Sequence, residues 1–103
     1  MDEMIKRRDS LEEASEMLKI LSHPVRLSIL CNLLHKGEMS VSQLVEQETS
    51  VGQSQISQYL GLLKRMKYVK SRRQGQTIYY DFSSKEVKQI IETLYTIYCQ
   101  GNS

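Results

Sequence analysis

The order of elements that begins at residue 40 limits the fold of this chain more than any other feature. SVSQLVEQE predicts a short helix capped by Ser40 or Ser42, and the TSVG that follows predicts a turn. QSQISQYLGLLKRM then predicts a second helix, because its apolar residues recur every three to four positions: Ile56, Leu60, Leu63 and Met66. A short helix, a tight turn and a second helix form a helix-turn-helix.

A β-hairpin is predicted directly after the second helix. YVKSRR and TIYYDF are rich in β-branched and aromatic residues, and Gln74-Gly75 between them supplies a turn. We therefore expect this hairpin to form the wing of a winged helix-turn-helix. Tyr79 and Tyr80 are expected to pack within the hairpin rather than to stack on nucleic-acid bases.

Helices are also predicted at both ends of the chain. DSLEEASEMLKIL is amphipathic, and Ser10 with Glu13 forms a capping box at its start. SSKEVKQIIETLYTIYC is the last predicted helix, which opens with a capping box of Ser83 and Glu86. Neither helix belongs to the helix-turn-helix itself, so part of each apolar stripe is free to face another subunit.

SHPVRLSILCNLLHKG predicts the central helix of the fold. Ser22 or His23 is its cap, Pro24 suits its first turn, and Gly37 ends it. This helix is apolar on most sides, which indicates burial. The expected fold is therefore mainly α with a small β-hairpin, in the order α-α-α-α-β-β-α.

The composition is consistent with a single helical domain over residues 1–103. The chain of 103 residues has one proline and five glycines, which is little punctuation for a β-rich protein. Residues 1–9 and 100–103 are expected to be flexible ends. There is no apolar stretch of about 18 residues and no secretory signal, so we expect a cytoplasmic protein without a membrane partner. Its two cysteines are then expected to be reduced.

Acidic residues are absent from one long segment of the sequence. From Thr49 to Tyr80 the chain has no acid, whereas the remainder has eight bases and twelve acids. This asymmetry favours contact with a polyanion over an ordinary solvated surface. The segment contains six bases: Lys64, Arg65, Lys67, Lys70, Arg72 and Arg73.

Amide and hydroxyl side chains cluster at the start of the second helix of the helix-turn-helix. The first turns of such a helix enter the major groove of double-stranded DNA. Glutamine can pair with adenine N6 and N7, and serine can donate to bases or phosphates. The residues that we predict to contact DNA from this helix are Gln53, Ser54, Gln55, Ser57, Gln58, Tyr59 and Lys64.

The wing supplies a second set of predicted DNA contacts. Basic and amide side chains at the hairpin tip suit the flanking backbone or the minor groove. Lys64 and Lys67 are expected to bind phosphate, which positions the protein without reading bases. The predicted wing contacts are Arg72, Arg73, Gln74 and Gln76.

Surplus apolar residues on the two terminal helices predict a homodimer. A twofold dimer would place two recognition helices on a pseudo-palindromic operator. The residues predicted for this interface are Leu11, Leu18, Leu94, Tyr95 and Tyr98.

As a set, these motifs resemble the ArsR/SmtB type of bacterial winged-helix repressors. LKILSHPVRLSIL resembles the second helix of that family, and QSQISQYLGLLKRMKYVKSRRQGQTIYYDF resembles its recognition helix and wing. The resemblance covers about residues 11–99. It implies a homodimer that represses promoters and leaves DNA when an inducer binds. Tyr59 departs from the histidine that many members carry there, which puts the operator sequence in doubt.

The metal ligands of classical ArsR/SmtB members have no counterparts in this sequence. Ser40 and Ser42 stand where one class has paired cysteines, and neutral hydroxyls are poor ligands for soft metals. Another class uses Asp and His on the last helix, but no histidine follows His35. We therefore expect neither a metal nor another cofactor, although a metal-responsive repressor stays as an alternative.

Cys31 and Cys99 match the cysteine positions of a two-cysteine, persulfide- and redox-responsive subgroup of this family. The resemblance implies that reactive sulfur species join the two thiols by a disulfide or polysulfide bridge, which releases the protein from DNA. A polysulfide would join thiols that are too far apart for a direct disulfide. Alternatively, the two cysteines only pack in the fold.

Two other classes of protein stay as alternatives to a DNA-binding repressor. A small thiol oxidoreductase is disfavoured because the chain has no C-x-x-C motif, so we expect no enzyme and no catalytic residue. A winged-helix module that binds another protein is distinguished by the lack of a salt-dependent affinity for duplex DNA.

Overall fold

The computed structural model describes residues 2–99, with side chains from residue 7 onward. The described chain has five helices and three short strands. The elements are α1 (Asp2–Leu21), α2 (Pro24–Lys36), β1 (Met39–Ser40), α3 (Val41–Gln47), α4 (Gln53–Arg65), β2 (Val69–Gln74), β3 (Thr77–Phe82) and α5 (Lys85–Tyr98).

The core forms where α2, α3, α4 and α5 meet the base of the sheet. Leu60 and Leu63 of α4 are fully buried, as the predicted apolar stripe requires. Since α2 is covered on most sides, it is the central helix of the fold. The fully buried side chains are Ile29, Leu30, Leu33, Leu44, Ile56, Leu60, Leu63, Val69, Val87 and Ile91.

The sheet contains one strand more than the predicted hairpin. Its order is β1-β3-β2, and both pairings are antiparallel. The hairpin turns at Gly75, whose φ of 64° suits glycine at the first central position of a two-residue turn. Strand β1 pairs Met39 with Tyr80 and Ser40 with Tyr79, so it joins the wing to the start of α3.

Two predicted helix starts are wrong. Helix α1 begins at Asp2, well before the Ser10 capping box. The cap of α5 is Ser84, whose Oγ accepts a hydrogen bond from the Val87 N–H, and not Ser83. The Ser83 hydroxyl donates instead to the Lys67 carbonyl. The predicted flexible end at 100–103 lies outside the described residues.

The other predicted caps form. His23 caps α2 by accepting the Val25 N–H on Nδ1, and Gly37 ends that helix with a φ of 83°. Ser40 and Gln43 form a reciprocal capping box at α3. No single helix among the described residues is long and apolar enough to cross a membrane. The helices Arg7–Leu21 and Pro24–Lys36 would be long and apolar enough only when taken together, and that pair is bent by 96°.

The end of α4 carries a residue in a left-handed conformation that glycine normally occupies. The Tyr68 N–H donates to the Leu63 carbonyl and the Lys67 N–H donates to the Lys64 carbonyl, both at 2.9 Å. This is the hydrogen-bond pattern of a Schellman motif with Lys67, whose φ is 64°, at its left-handed position. A side chain there clashes with the backbone, a cost that glycine avoids.

We expect Lys67→Gly to raise the free energy of unfolding by about 0.5–1 kcal/mol, since relief of the left-handed strain exceeds the added entropy of the unfolded chain. Urea denaturation measures this change. Lys70→Gly is the control, because Lys70 lies in β2, where the same substitution should destabilise. A loss of stability in Lys67→Gly would show that the Lys67 side chain stabilises the turn.

Candidate nucleic-acid interface and thiol pair

The first turns of α4 present a polar, exposed surface. Ile56 and Leu60 face the core, whereas the glutamines and serines beside them on the helix face outward. The helix begins after Gly52, which offers no side-chain acceptor for the first backbone N–H groups. Those N–H groups and the exposed amides and hydroxyls suit phosphates and base edges. The exposed members of the predicted set are Gln53, Ser54, Gln55, Ser57, Gln58 and Lys64.

Tyr59 differs from the rest of this set because it is half-buried and points back toward α2. Its hydroxyl oxygen lies 3.2 Å from Nε2 of His23 and accepts a hydrogen bond from the Gln55 amide at 3.3 Å. The guanidinium of Arg26 lies 5.2 Å from the centre of its ring. His23 and Arg26 had no predicted role at the DNA surface, because they reach α4 only in the folded chain.

All six bases of the acid-free segment are exposed. Lys64 donates to the Ser71 hydroxyl at 2.7 Å, a contact that ties the end of α4 to the wing. Lys67 lies between α4 and β2, Lys70 is the second residue of β2, and Arg73 pairs with Ile78 within the hairpin. The folded chain therefore carries an exposed positive surface that runs from the end of α4 along the wing.

Arg72 does not lie at the tip of the wing, where we expected it. Its guanidinium already has an ion-pair partner within the chain. It lies opposite Tyr79, and its guanidinium makes a two-bond ion pair with Glu38 at 2.6 and 2.7 Å. These hydrogen bonds lower the pKa of the Glu38 carboxyl and raise that of Arg72. Of the four predicted wing contacts, Gln76 alone lies in the turn between the strands.

The ion pair braces the wing against the body of the protein. Arg72 stacks over the ring of Tyr79 at 4.9 Å and donates to the Gln74 amide oxygen at 2.8 Å. Tyr79 and Tyr80 are half-buried in the sheet, consistent with a packing role. Arg73, Gln74 and Gln76 are exposed, so they can reach a ligand without breaking an ion pair.

Cys31 and Cys99 are free thiols on two helices that pack together. Cys31 lies on α2 and is half-buried, whereas Cys99 ends α5 and is exposed. Beside them the rings of His35 and Tyr95 stack at 6.0 Å, which joins the same two helices. Burial raises the pKa of the Cys31 thiol, and negative charge on Cys99 raises it further. Cys31 is therefore the less accessible of the two thiols, and its raised pKa leaves it less thiolate at neutral pH than an ordinary cysteine has.

The predicted dimer residues divide into two groups. Leu11, Leu18 and Tyr98 have large side chains that are 63%, 59% and 66% exposed in the single chain. Leu94 lines a groove with Leu18 and Leu27, between α1, α2 and α5. Tyr95 instead contacts His35 within the chain. Ile97, which is 59% exposed, belongs with the first group, although the sequence pattern of α5 did not single it out.

Comparison with known proteins identifies the family. The model of the "Bacterial regulatory protein, arsR family" matches residues 23–71. The biofilm growth-associated repressor of Xylella fastidiosa (strain Temecula1) is 42% identical over 87 residues, which are 84% of this chain and 75% of that protein. The chain belongs to the arsR family. The transcriptional activator HlyU of Vibrio cholerae is 42% identical over 90 residues, which are 87% of this chain and 82% of that protein.

The arsR-family fold is seen directly in a solved relative. The structure of reduced HlyU from Vibrio cholerae N16961 matches with a TM-score of 0.82 and 39% identity, covering 96% of this chain and 99% of that one. The predicted winged helix-turn-helix is thereby confirmed, with β1 as an addition to the expected order.

Ser40, one of the two serines that the resemblance places at metal-binding positions, has a structural role in this chain. Ser40 is 6% exposed, and its hydroxyl and backbone N–H are both used in the capping box of α3. Among the side chains that the structure describes, no group of three or more His, Cys, Asp or Glu residues lies close enough to hold a metal ion.

Proposed function

We propose that this chain is a sequence-specific, DNA-binding transcriptional repressor that acts as a homodimer. The observation that carries the proposal is the exposed amide and hydroxyl surface of α4, which adjoins six exposed bases with no acid between residues 49 and 80. Double-stranded DNA is a polyanion that presents base edges in its grooves, so it matches both the six bases and the amide and hydroxyl side chains of this surface. The relatives are named as a repressor and as a transcriptional activator, and we propose no enzymatic activity.

In this proposal the two parts of the surface do different work. Gln55 and its exposed neighbours on α4 contact base edges in the major groove and supply specificity. Lys64, Lys67 and Arg73 contact phosphates, which supplies affinity and sets the register. Arg72 braces the wing through Glu38 and contributes a phosphate contact only where that ion pair is exchanged for the backbone of DNA.

The homodimer supplies the second half of the operator. The exposed leucines of α1 and the end of α5 would be buried between two copies, as symmetric oligomers require. Two α4 helices would then lie on half-sites about 34–36 Å apart on one face of the duplex. A change in the angle between α2 and α5 alters that spacing, because α5 lies both in the interface and against α2.

We propose further that sulfur chemistry at Cys31 and Cys99 releases the protein from DNA. The exposed Cys99 thiolate attacks a sulfur of an inorganic polysulfide, the S–S bond breaks, and a shorter polysulfide leaves with the electron pair. Cys99 then carries a persulfide. The Cys31 thiolate attacks the Cys99 Sγ, and hydrosulfide leaves as the intrachain disulfide forms. The two thiols lose two electrons and two protons, and the polysulfide sulfur is reduced to sulfide.

The accessibilities of the two thiols support this order of steps. Cys99 meets the oxidant first because it is exposed, whereas Cys31 is half-buried and its pKa is raised. A second polysulfide equivalent, consumed before Cys31 attacks, would leave an additional sulfur in the bridge. Such a longer link lets α2 and α5 be joined with less movement than a direct disulfide demands.

The DNA-binding proposal is tested by the salt dependence of affinity for a duplex that the protein selects from a randomised library. We expect log K to fall linearly with log[salt], since each phosphate contact releases counterions. Lys64→Ala and Arg73→Ala should each reduce the slope by roughly 0.9 for every subunit that binds.

Lys88→Ala on α5 is the matched control and should leave the slope unchanged, because it removes an exposed lysine outside the acid-free segment. Fluorescence anisotropy measures all four proteins on the same duplex. Equal affinity for the selected duplex and a scrambled one would exclude sequence-specific binding. A slope near zero would favour the protein-interaction module instead.

A further inference from the structure

We infer that His23, the N-terminal cap of α2, is a positioning residue for base recognition, which acts through Tyr59 on the amide of Gln55. The inference rests on the proposed DNA-binding function and adds a residue from outside the recognition helix to its specificity. His23 and Tyr59 are 36 positions apart in sequence, yet their hydrogen bond joins the start of α2 directly to the middle of α4.

The cap of α2 determines which nitrogen of His23 carries the proton. Nδ1 accepts the Val25 N–H at 3.2 Å, so it cannot hold a proton while the cap is formed. The hydrogen of the neutral ring is therefore on Nε2. Because Nε2 then donates, the Tyr59 oxygen at 3.2 Å is the acceptor. The cap of α2, rather than Tyr59, therefore determines which of the two side chains donates this hydrogen bond.

Tyr59 in turn holds the side-chain amide of Gln55. A phenolic oxygen has one hydrogen and accepts two hydrogen bonds at most. His23 supplies one, and the Gln55 Nε2 supplies the other at 3.3 Å. The hydroxyl hydrogen of Tyr59 remains as a donor, which suits a phosphate or a base acceptor and repels another donor.

The ring of Tyr59 is also held in place from α2. Arg26 lies over its face at 5.2 Å and is itself anchored by a 2.9 Å hydrogen bond to the Ile20 carbonyl. On another side the His23 ring is 4.9 Å away and tilted by 53°. Tyr59 is thus fixed by the junction of α1 and α2 as well as by its own helix.

The anchored amide of Gln55 is the part of this chain of contacts that meets a base. Its Nε2 gives one hydrogen to Tyr59 and keeps the other, while its Oε1 stays free to accept. One N–H donor beside one acceptor is the pair that recognises N7 and N6 of adenine. Without Tyr59, this exposed side chain is free to rotate and to present its donor and acceptor in either sense.

The test compares single-base preferences on the duplex that the wild-type protein selects from a randomised library. Tyr59→Phe removes the hydroxyl but keeps the ring, and His23→Ser keeps a capping acceptor for α2 but cannot reach Tyr59. We expect each to reduce discrimination by about tenfold at one base pair of each half-site, the same base pair that Gln55→Ala affects. Adding His23→Ser to Tyr59→Phe should cause no further loss.

Gln58→Ala is the control, because Gln58 is an exposed neighbour outside this set of contacts and should alter a different base pair. Thermal unfolding of each variant shows whether it is folded. If His23→Ser does not fold, Tyr59→Phe is sufficient for the test, because it breaks the same hydrogen bond between His23 and Tyr59. Unchanged discrimination in a folded Tyr59→Phe protein would overturn the inference while leaving DNA binding intact. A wild-type protein that selects no duplex would overturn the proposed function as well.

Discussion

Cys31→Ser and Cys99→Ser are each expected to bind the selected duplex within about twofold of the wild-type affinity and to stay bound when inorganic polysulfide is added. Neither thiol lies on α4 or on the wing, so binding itself should not need them. In the proposed mechanism release needs both thiols, because the bridge would take one sulfur from Cys31 and one from Cys99. Anisotropy before and after polysulfide, followed by dithiothreitol, measures binding, release and recovery.

The two serine variants are expected to differ in what polysulfide leaves on them. Cys31→Ser keeps the exposed Cys99, so its intact mass should increase by one or more sulfur atoms. Cys99→Ser keeps the half-buried Cys31, whose raised pKa leaves little thiolate at neutral pH, so its mass should change much more slowly. Wild-type protein should lose two hydrogens, with or without additional sulfur in the bridge.

The pH dependence of bridge closure follows from the pKa of Cys31. A raised pKa means that the neutral thiol predominates to a higher pH, so the attacking thiolate increases about tenfold per pH unit through the neutral range. Closure of the Cys99 persulfide should accelerate accordingly as the pH is raised from 7 to 8. Release of either serine variant by polysulfide, or closure that does not depend on pH, would contradict the proposed mechanism.

The helices were predictable because their burial follows a local period. Ile56, Leu60 and Leu63 recur along α4 at helical spacing, and all three are fully buried. Strand β1 escaped prediction because two residues carry no alternating pattern, and its partner β3 lies about 40 positions later. At α5 the two adjacent serines offer the same capping chemistry, and only the fold directs Ser83 to the Lys67 carbonyl.

The residues of the candidate site divide in the same way, into those that a local sequence pattern predicts and those that only the fold brings together. The exposed amides of α4 follow from the same periodicity that buries Ile56, so composition and spacing were enough to select them. The Arg72–Glu38 ion pair spans 34 positions and the His23–Tyr59 contact spans 36, so neither leaves a pattern in the sequence. Both contacts change how a predicted residue can meet DNA, and both required the arrangement of α2 against the sheet and α4.

Leu18→Glu and Leu18→Lys are both expected to convert the homodimer into a monomer and to weaken operator binding by at least about 100-fold. Leu18 is 59% exposed in the single chain, so the charge does not disturb the core; in the dimer it would be buried without a partner. Sedimentation velocity should show the mass falling from twice 12.0 kDa to 12.0 kDa. Loss of the second half-site removes the gain from linked binding, which accounts for the size of the effect.

The opposite charges of these two variants separate dimerisation from electrostatic effects on DNA. If the charge introduced at position 18 acted on DNA binding only through its electrostatic field, Leu18→Glu would weaken binding and Leu18→Lys would strengthen it. Burial in a dimer interface penalises both charges alike. If both variants remain dimeric, Leu18 does not lie in the dimer interface. If both are monomeric yet bind the full operator as tightly as wild type, a single winged helix-turn-helix suffices for recognition, and the twofold arrangement of half-sites is wrong.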